Sequence, residues 1–309
     1  MKIVFMGTPD FAVPSLKALQ QSEHTIAGVV TAPDRPMGRG RKMGAPVIKN
    51  LAVDYALPIL QPEQLQDPGF ISELRSWNAD LFVVVAFRIL PPAVFRLPAK
   101  GTFNLHASLL PKYRGAAPIN WALINGEKES GVTTFYIDEK VDTGEILLQR
   151  SLPLTDDMTA GELHDALSIM GAELVLETID GIAAGTLMPR RQSGDSTRAP
   201  KLTAELEQLS WSKSATACHN LIRGLSPAPG CYALFRGKRI KIMRSRVSGV
   251  MAPAALPGQI IAIGKNGPID VQTGDGVLSL LQLKPEGRAT MSAGEFSRGF
   301  HIALGDKFD

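Results

Sequence analysis

The chain has 309 residues, of which 44% are hydrophobic and 20% charged, a composition typical of a soluble globular protein. No apolar run is long enough to span a bilayer, and the opening residues form a strand pattern rather than a signal peptide. Two cysteines, Cys218 and Cys231, exclude a disulfide scaffold and lack the spacing of a metal site. We therefore expect a cytoplasmic protein of two domains that holds no metal.

The net charge of +3 hides an asymmetry along the chain. Residues 206–309 carry 13 Lys and Arg against 7 Asp and Glu, whereas residues 1–205 carry 20 against 23. A basic C-terminal third favours a polyanionic partner. A charged, soluble surface without such a partner is the alternative.

The N-terminal half alternates between strand and helix patterns. An apolar strand, Lys2–Gly7, is followed by a helical pattern through Leu16 and Leu19. Further strands are predicted over Thr25–Thr31, Pro58–Gln61, Leu81–Ala86 and Gly131–Ile137, and helices over Val47–Tyr55, Pro68–Trp77 and Ala117–Ile124. This alternation predicts a Rossmann-like, doubly wound, mostly parallel sheet. The Gly-x-Gly-x-x-Gly pattern is absent, so a dinucleotide is not expected.

A basic, glycine-rich segment over residues 34–42 interrupts this pattern. It contains four cations, namely Arg35, Arg39, Arg41 and Lys42. Because the segment has no hydrophobic face to bury, we expect a mobile, exposed loop. Its cations suit contacts with a nucleic-acid backbone, and a solvated loop or a small-phosphate site is the alternative.

Asn104 and His106 are the first candidates for chemistry. They stand two residues apart on a predicted strand, so their side chains leave the same face, at the edge where open α/β sheets place their active sites. Asp142, in an Asp-Thr-Gly turn, is the third candidate if its strand is a neighbour. An amide and an imidazole can both donate to an oxygen that becomes negative, and a carboxylate can keep the imidazole charged. This set suits direct acyl transfer, although the turn aspartate can also be simple turn chemistry.

The C-terminal third reads as a separate β domain. A linker is predicted over residues 190–206, between a domain of residues 1–189 and a domain of residues 207–309. A short helix, Ala215–Arg223, precedes five strands over Cys231–Phe235, Arg239–Val247, Gly258–Ile263, Ile269–Thr273 and Val277–Lys284. Five short strands with glycine turns predict a small OB-like barrel. Lys238, Arg239 and Lys241 suit a nucleic-acid backbone, and protection of a strand edge is the alternative.

The combined motifs resemble the folate-dependent formyltransferase superfamily. The resemblance rests on Asn104-x-His106-x-Ser108-Leu-Leu-Pro111, Tyr113-Arg-Gly115, Gly131-Val-Thr133 and Asp142-x-Gly144. It implies catalysis by Asn104, His106 and Asp142. It also implies a site for 10-formyltetrahydrofolate as formyl donor, formed by Phe87, Arg88, Ile89, Leu90, Ser108, Leu109, Leu110, Pro111, Asp138, Val141 and Thr143. Arg88 is a departure, since many members have glycine there.

Within the superfamily, three features resemble the members that act on methionyl-tRNA. They are the start Gly7-Thr-Pro-Asp-Phe-Ala12, the basic segment and the extra C-terminal domain. The resemblance implies that initiator methionyl-tRNA is formylated for translation initiation, with Arg35, Arg39, Arg41, Lys42, Lys238, Arg239 and Lys241 on the tRNA. Alternatives are a UDP-amino sugar formyltransferase, a formyltetrahydrofolate hydrolase and a non-catalytic RNA-binding module. We expect a monomer, because both domains are accounted for without a large exposed apolar face.

Overall fold

A computed structural model describes residues 1–37, 42–249, 255–265 and 267–309. The chain forms two compact units. The first contains Met1–Gly115, Ser130–Leu152 and His164–Ala199, and the second contains Ala116–Glu129, Pro153–Leu163 and Pro200–Asp309. The second unit thus includes residues 116–129 and 153–163, which lie within the range predicted for the first domain.

Strands and helices alternate through the first unit and give way to strands in the second. The helices are α1 (Val13–Gln20), α2 (Val47–Asp54), α3 (Pro68–Ser76), α4 (Pro92–Phe95), α5 (Pro118–Ile124), α6 (Ala160–Ala184), α7 (Ala215–Leu225) and α8 (Ala293–Phe300). The strands are β1 (Lys2–Gly7), β2 (Thr25–Val30), β3 (Arg35–Met37), β4 (Lys42–Gly44), β5 (Ile59–Leu60), β6 (Leu81–Val85), β7 (Thr102–His106), β8 (Arg114–Gly115), β9 (Glu129–Tyr136), β10 (Ile146–Pro153), β11 (Arg198–Ala199), β12 (Cys231–Phe235), β13 (Lys238–Ser248), β14 (Ile260–Ile263), β15 (Ile269–Gln272), β16 (Val277–Pro285) and β17 (Met291–Ser292).

The first unit is built on a seven-stranded sheet in the order β10-β9-β7-β6-β1-β2-β5. The pairs β1–β2, β1–β6, β2–β5 and β6–β7 are parallel, and β9 joins β7 antiparallel. All five residues of β6 are buried, which explains its unbroken apolar run. The parallel strands follow a doubly wound order, so the predicted fold class is confirmed.

The structure describes two short strands in and next to the basic segment, which pair antiparallel. In this pairing of β3 with β4, Arg35 lies opposite Gly44 and Met37 opposite Lys42. Pairing of this kind depends on main-chain hydrogen bonds, which a pattern of charges does not reveal. The predicted Arg39 and Arg41 lie outside the described residues, and Lys42 is described only by its backbone.

The second unit contains an antiparallel sheet in the order β12-β13-β16-β15-β14, with β17 beside β16. The last residues join its two edges: Leu234 and Asp309 exchange backbone hydrogen bonds, and the Phe308 amide donates to the Gly258 carbonyl. Phe235, Phe296 and Phe308 pack in its interior. The predicted C-terminal β domain is therefore confirmed. Among the described residues, no helix is long and apolar enough to cross a membrane.

Candidate active site

Asn104 and His106 lie at the carboxyl end of β7, as their spacing predicts. Main-chain pairing of β7 with β9 places His106 opposite Thr133 and Asn104 opposite Phe135. The predicted neighbour relation between these strands is therefore present, and it brings the loop after β9 to the pair. The Asn104 carboxamide makes no hydrogen bond to any residue that the structure describes, and it faces a cavity. Its donors are open to a ligand.

The imidazole of His106 is buried and held from one side. Its Nε2 lies 2.9 Å from the Tyr113 carbonyl oxygen, and its ring meets the Phe135 ring edge to face. Because a carbonyl can only accept, Nε2 carries a proton in this contact. Nδ1 is left to face Asp142, with 3.9 Å between Nδ1 and Oδ2. Nδ1 is thus the ring nitrogen that the Tyr113 contact leaves available.

Asp142 is fixed by its main chain as well as by its carboxylate. Its Oδ2 accepts from the Gly115 amide at 2.7 Å, and its φ of 56° lies in the left-handed region. The turn also needs glycine at position 144, because a Cβ there would lie 1.6 Å from the main-chain carbonyl oxygen of Tyr136. Strained backbone of this kind persists when its surroundings over-determine it, and such strain clusters at functional sites.

The predicted linker supplies contacts that the sequence did not suggest. Gln192 donates from Nε2 to the carbonyl oxygens of Asp142 and Gly144, both at 2.9 Å. Arg114 donates to Gln192 Oε1, with the shorter contact at 2.6 Å, which orients the amide toward the loop. Nearby, the Tyr113 amide donates to Thr197 Oγ1 at 2.8 Å. Residues 192–199 therefore brace the two segments that hold His106 and Asp142.

An open cavity lies beside these side chains. It is lined by Val84, Phe87, Arg88, Ile89, Leu90, Pro92, Phe95, Asn104, Phe135, Ile137, Asp138, Glu139, Lys140, Val141 and Asp142. Six of the residues predicted for the folate site are among them, namely Phe87, Arg88, Ile89, Leu90, Asp138 and Val141. The segment after β6 and the loop after β9 thus face one space that also contains Asn104 and Asp142.

The other five residues predicted for folate do not line this cavity. Thr143 donates to Asp138 Oδ1 at 2.7 Å and closes the loop on itself. Ser108 is buried and donates to the Lys112 carbonyl at 2.6 Å, and its own carbonyl accepts from Thr133. The segment of Leu109, Leu110 and Pro111 is tied down through the Leu110 carbonyl, which accepts from Gln149 at 2.9 Å. These contacts position β7 and the segment that follows it.

The Arg88 guanidinium reaches away from the cavity. It donates to the carbonyl oxygens of Pro62 at 2.7 Å and Glu63 at 3.0 Å, and it lies over the Phe87 ring. Burial and the nearby Arg35 charge lower the pKa of Arg88, whereas Glu63 raises it. Arginine keeps its proton despite such shifts, so the side chain remains a charged donor.

The basic residues predicted for tRNA differ in how freely they present their charge. Arg35 and Lys238 are exposed. Arg239 is also exposed and lies over the Tyr232 ring, 4.5 Å from its centroid. Lys241 is half-buried, and its ammonium donates to the Pro229 carbonyl. Lys238 and Arg239 are therefore the more accessible charges of the second unit.

No metal centre is found in the part of the chain that the structure describes. Within the ranges 1–37, 42–249, 255–265 and 267–309, no group of three or more His, Cys, Asp or Glu residues is placed to hold a metal ion. Both cysteines are buried as free thiols. Burial raises the pKa of Cys218 to about 11, which makes it a poor nucleophile.

Comparisons with known proteins cover the whole chain. Residues 1–179 match the profile of the family described as formyl transferase, and residues 201–301 match that of the formyl transferase C-terminal domain. A relative from Thermodesulfovibrio yellowstonii, named methionyl-tRNA formyltransferase, is 47% identical over 98% of this chain and 97% of its own. One of the same name from Pelotomaculum thermopropionicum is 45% identical over 97% and 96%.

Solved structures of lower identity share the fold. The N-formyltransferase from Helicobacter canadensis, in complex with folinic acid and dTDP-3-aminofucose, has a TM-score of 0.69. It is 21% identical to this chain and covers 91% of it, and the match spans 98% of that protein. The likeness at this identity concerns the fold. The two profiles and the close relatives show more: this chain belongs to the formyl transferase family and, within it, to the methionyl-tRNA formyltransferases.

Proposed function

We propose that the chain transfers the formyl group of 10-formyltetrahydrofolate to the amino group of methionyl-tRNA, giving N-formylmethionyl-tRNA for translation initiation. The observation that carries the proposal is that Asn104 and Asp142 line one cavity in the first unit, with the buried His106 next to Asp142, 3.9 Å from Nδ1 to Oδ2. Relatives at 45% and 47% identity that bear this name support the choice of acceptor.

Each of the three side chains has a role that its contacts permit. The amino group of the methionyl ester attacks the formyl carbon, and the formyl oxygen gains negative charge. The Asn104 amide and an N–H at Nδ1 of His106 donate to that oxygen. The Asp142 carboxylate accepts the proton that the attacking amine loses, directly or through water. The bond between the formyl carbon and the folate nitrogen then breaks, and the proton passes to that nitrogen, which leaves as tetrahydrofolate.

The cavity fits a folate as the formyl donor. When bound, 10-formyltetrahydrofolate supplies the formyl group and a nitrogen leaving group. The Phe87–Leu90 segment offers main-chain groups and apolar side chains suited to a planar heterocycle, and Asn104 has donors open to it.

Exposed cations supply the proposed tRNA contacts. Arg35 on β3 and the pair Lys238 and Arg239 on β13 are accessible to a phosphate backbone. Arg39, Arg41 and Lys42 belong to the same proposal through their charge in the sequence. Such contacts supply affinity, since phosphates carry no sequence information. The monomeric state and the cytoplasmic location stay predictions.

The test is a formyl-transfer assay with 10-formyltetrahydrofolate and four acceptors run in parallel. They are initiator methionyl-tRNA, the same tRNA uncharged, a UDP-amino sugar and water. We expect N-formylmethionyl-tRNA as the product and no transfer to uncharged tRNA, because the attacking amine belongs to the methionyl group. Formylation of the sugar, or release of formate independent of an acceptor, would contradict the proposed acceptor while leaving the chemistry of the site intact.

A further inference from the structure

We propose that Arg88 is a positioning residue for the formyl donor: its guanidinium holds the cavity wall Phe87–Leu90 against the segment Pro62–Glu63. This rests on the proposed function, because it assumes that the donor occupies this cavity. Phe87, Ile89 and Leu90 line the cavity, whereas Pro62 and Glu63 do not. Arg88 therefore joins the lining to a second segment behind it.

The contacts of Arg88 suit this task. Its two terminal nitrogens donate to two consecutive carbonyl oxygens, at 2.7 and 3.0 Å, a paired contact that suits the planar fork of a guanidinium. The guanidinium also stacks on Phe87, 5.2 Å from the ring centroid. A lysine at this position keeps the charge but offers a single ammonium, so it can replace the arginine only in part.

The segment that Arg88 grips is itself anchored. The Gln61 side chain donates to the Ala32 carbonyl at 2.7 Å and to Asp34 Oδ1 at 2.8 Å. Asp34 Oδ2 in turn accepts from the Lys49 ammonium at 2.5 Å. Arg88 is thus hydrogen-bonded to a segment that has polar contacts of its own, and these contacts include Asp34, the residue before β3.

The backbone just before the Phe87–Leu90 wall has an unfavourable conformation, which contacts elsewhere must stabilise. Ala86 has a φ of 48°, in the left-handed region that residues with a Cβ avoid. It lies between β6 and the Phe87–Leu90 wall, where the chain turns out of the sheet. Contacts further along the chain must hold a turn of this kind, and Arg88 supplies two of them.

The experiment compares Arg88→Met, Arg88→Lys and Gln61→Met with the control Arg75→Met, which removes an exposed arginine of α3 in the same unit. Folinic acid binding is measured by titration, and KM for 10-formyltetrahydrofolate, kcat and KM for methionyl-tRNA are measured by steady-state kinetics. Loss of the paired hydrogen bonds is expected to raise Kd and donor KM about tenfold in Arg88→Met. Arg88→Lys should lie between that variant and the wild type, and the control should match the wild type.

Additional readouts separate positioning from general loss of structure. In Arg88→Met the kcat at saturating donor and the KM for methionyl-tRNA should stay within about twofold of wild type, because the three side chains that do the chemistry are untouched. Gln61→Met should raise donor KM and add little to Arg88→Met in the double variant, since both act on one anchor. Unchanged folinic acid affinity in soluble Arg88→Met, or additive effects of the two substitutions, would overturn the inference. Failure of the wild type to bind folinic acid would instead refute the proposed function.

Discussion

The two units present polar side chains in opposite ways. In the first unit, His106 and Asp142 are largely buried. His106 donates a hydrogen bond to the Tyr113 carbonyl, and Asp142 accepts one from the Gly115 amide. In the second unit, Lys238 and Arg239 are exposed at the start of a strand. A proton donor must be positioned to a fraction of an ångström, whereas a phosphate backbone asks mainly for accessible charge. The contrast supports our proposal that the first unit performs the chemistry and that the second supplies part of the tRNA affinity.

The largest effect is expected at His106. His106→Ala removes the donor that we propose for the formyl oxygen, so we expect kcat to fall by about 10³-fold, with KM for methionyl-tRNA little changed. Steady-state formylation assays measure both constants. His164→Ala is the matched control, because it removes a more exposed histidine of the same unit and should leave kcat at the wild-type level. A His106→Ala enzyme within tenfold of wild type would refute the assignment of chemistry.

A smaller effect is expected at Gln192, which touches the loop rather than the reacting atoms. Gln192→Met removes the two hydrogen bonds that fix the carbonyls of Asp142 and Gly144. Misplacement of the carboxylate should lower kcat by about 10- to 100-fold, with the thermal midpoint of unfolding nearly unchanged. Kinetics and thermal unfolding by circular dichroism are the measurements. Gln66→Met, at an exposed position of the same unit, serves as the control.

Substitutions of Lys238 and Arg239, at the start of β13, should affect tRNA binding and not the chemical step. For Lys238→Gln combined with Arg239→Gln, we expect weaker methionyl-tRNA binding and a slope of log Kd against log salt that is smaller by about 2, because two phosphate contacts are lost. Filter binding at four salt concentrations measures the slope. Lys17→Gln, at an exposed lysine of α1, should leave the slope unchanged. A changed kcat at saturating tRNA would contradict the division between the units.

The smallest effect concerns the core of the second unit. Cys218 is 1% exposed, and burial raises its pKa from an ordinary value of 9.0 to about 11. The folded state therefore keeps a proton that the unfolded state loses first, so this stabilisation is present below pH 9 and disappears as the pH rises through 11. The loss amounts to about 3 kcal/mol over the full titration. Urea unfolding of wild type and Cys218→Ala, compared between pH 8 and pH 10.5, should show their difference in unfolding free energy shrinking with pH.

Much of the fold could be predicted because local patterns determine it. The buried run of β6, the strand with Asn104 and His106, and the short strands after residue 230 follow from apolar runs and alternation. The pairing of β7 with β9 brings Asn104 and Asp142 to one cavity. This proximity could be predicted on the single assumption that the two strands are neighbours. The residues Phe87–Leu90 were predicted to face the same space, and they line the cavity.

The rest depends on main-chain groups and on long-range contacts that side-chain patterns do not encode. The Tyr113 carbonyl that holds His106 and the Gly115 amide that holds Asp142 have no sequence signature. Gln192 lies in a polar, glycine-containing stretch that resembles a linker, yet its amide braces the loop after β9. The hydrogen bonds of Ser108 and of the Leu110 carbonyl to other parts of the chain likewise have no sequence signature, and folate binding by Ser108–Pro111 stays a prediction.

The most direct test of the division between the units is single-turnover formyl transfer at saturating methionyl-tRNA and 10-formyltetrahydrofolate. Wild type, His106→Ala and the Lys238→Gln/Arg239→Gln double variant are compared by rapid quench. Saturation removes any difference in binding, so the double variant should transfer at the wild-type rate while His106→Ala is slower by about 10³-fold. A double variant as slow as His106→Ala would show that the basic strand takes part in the chemical step and would contradict the account.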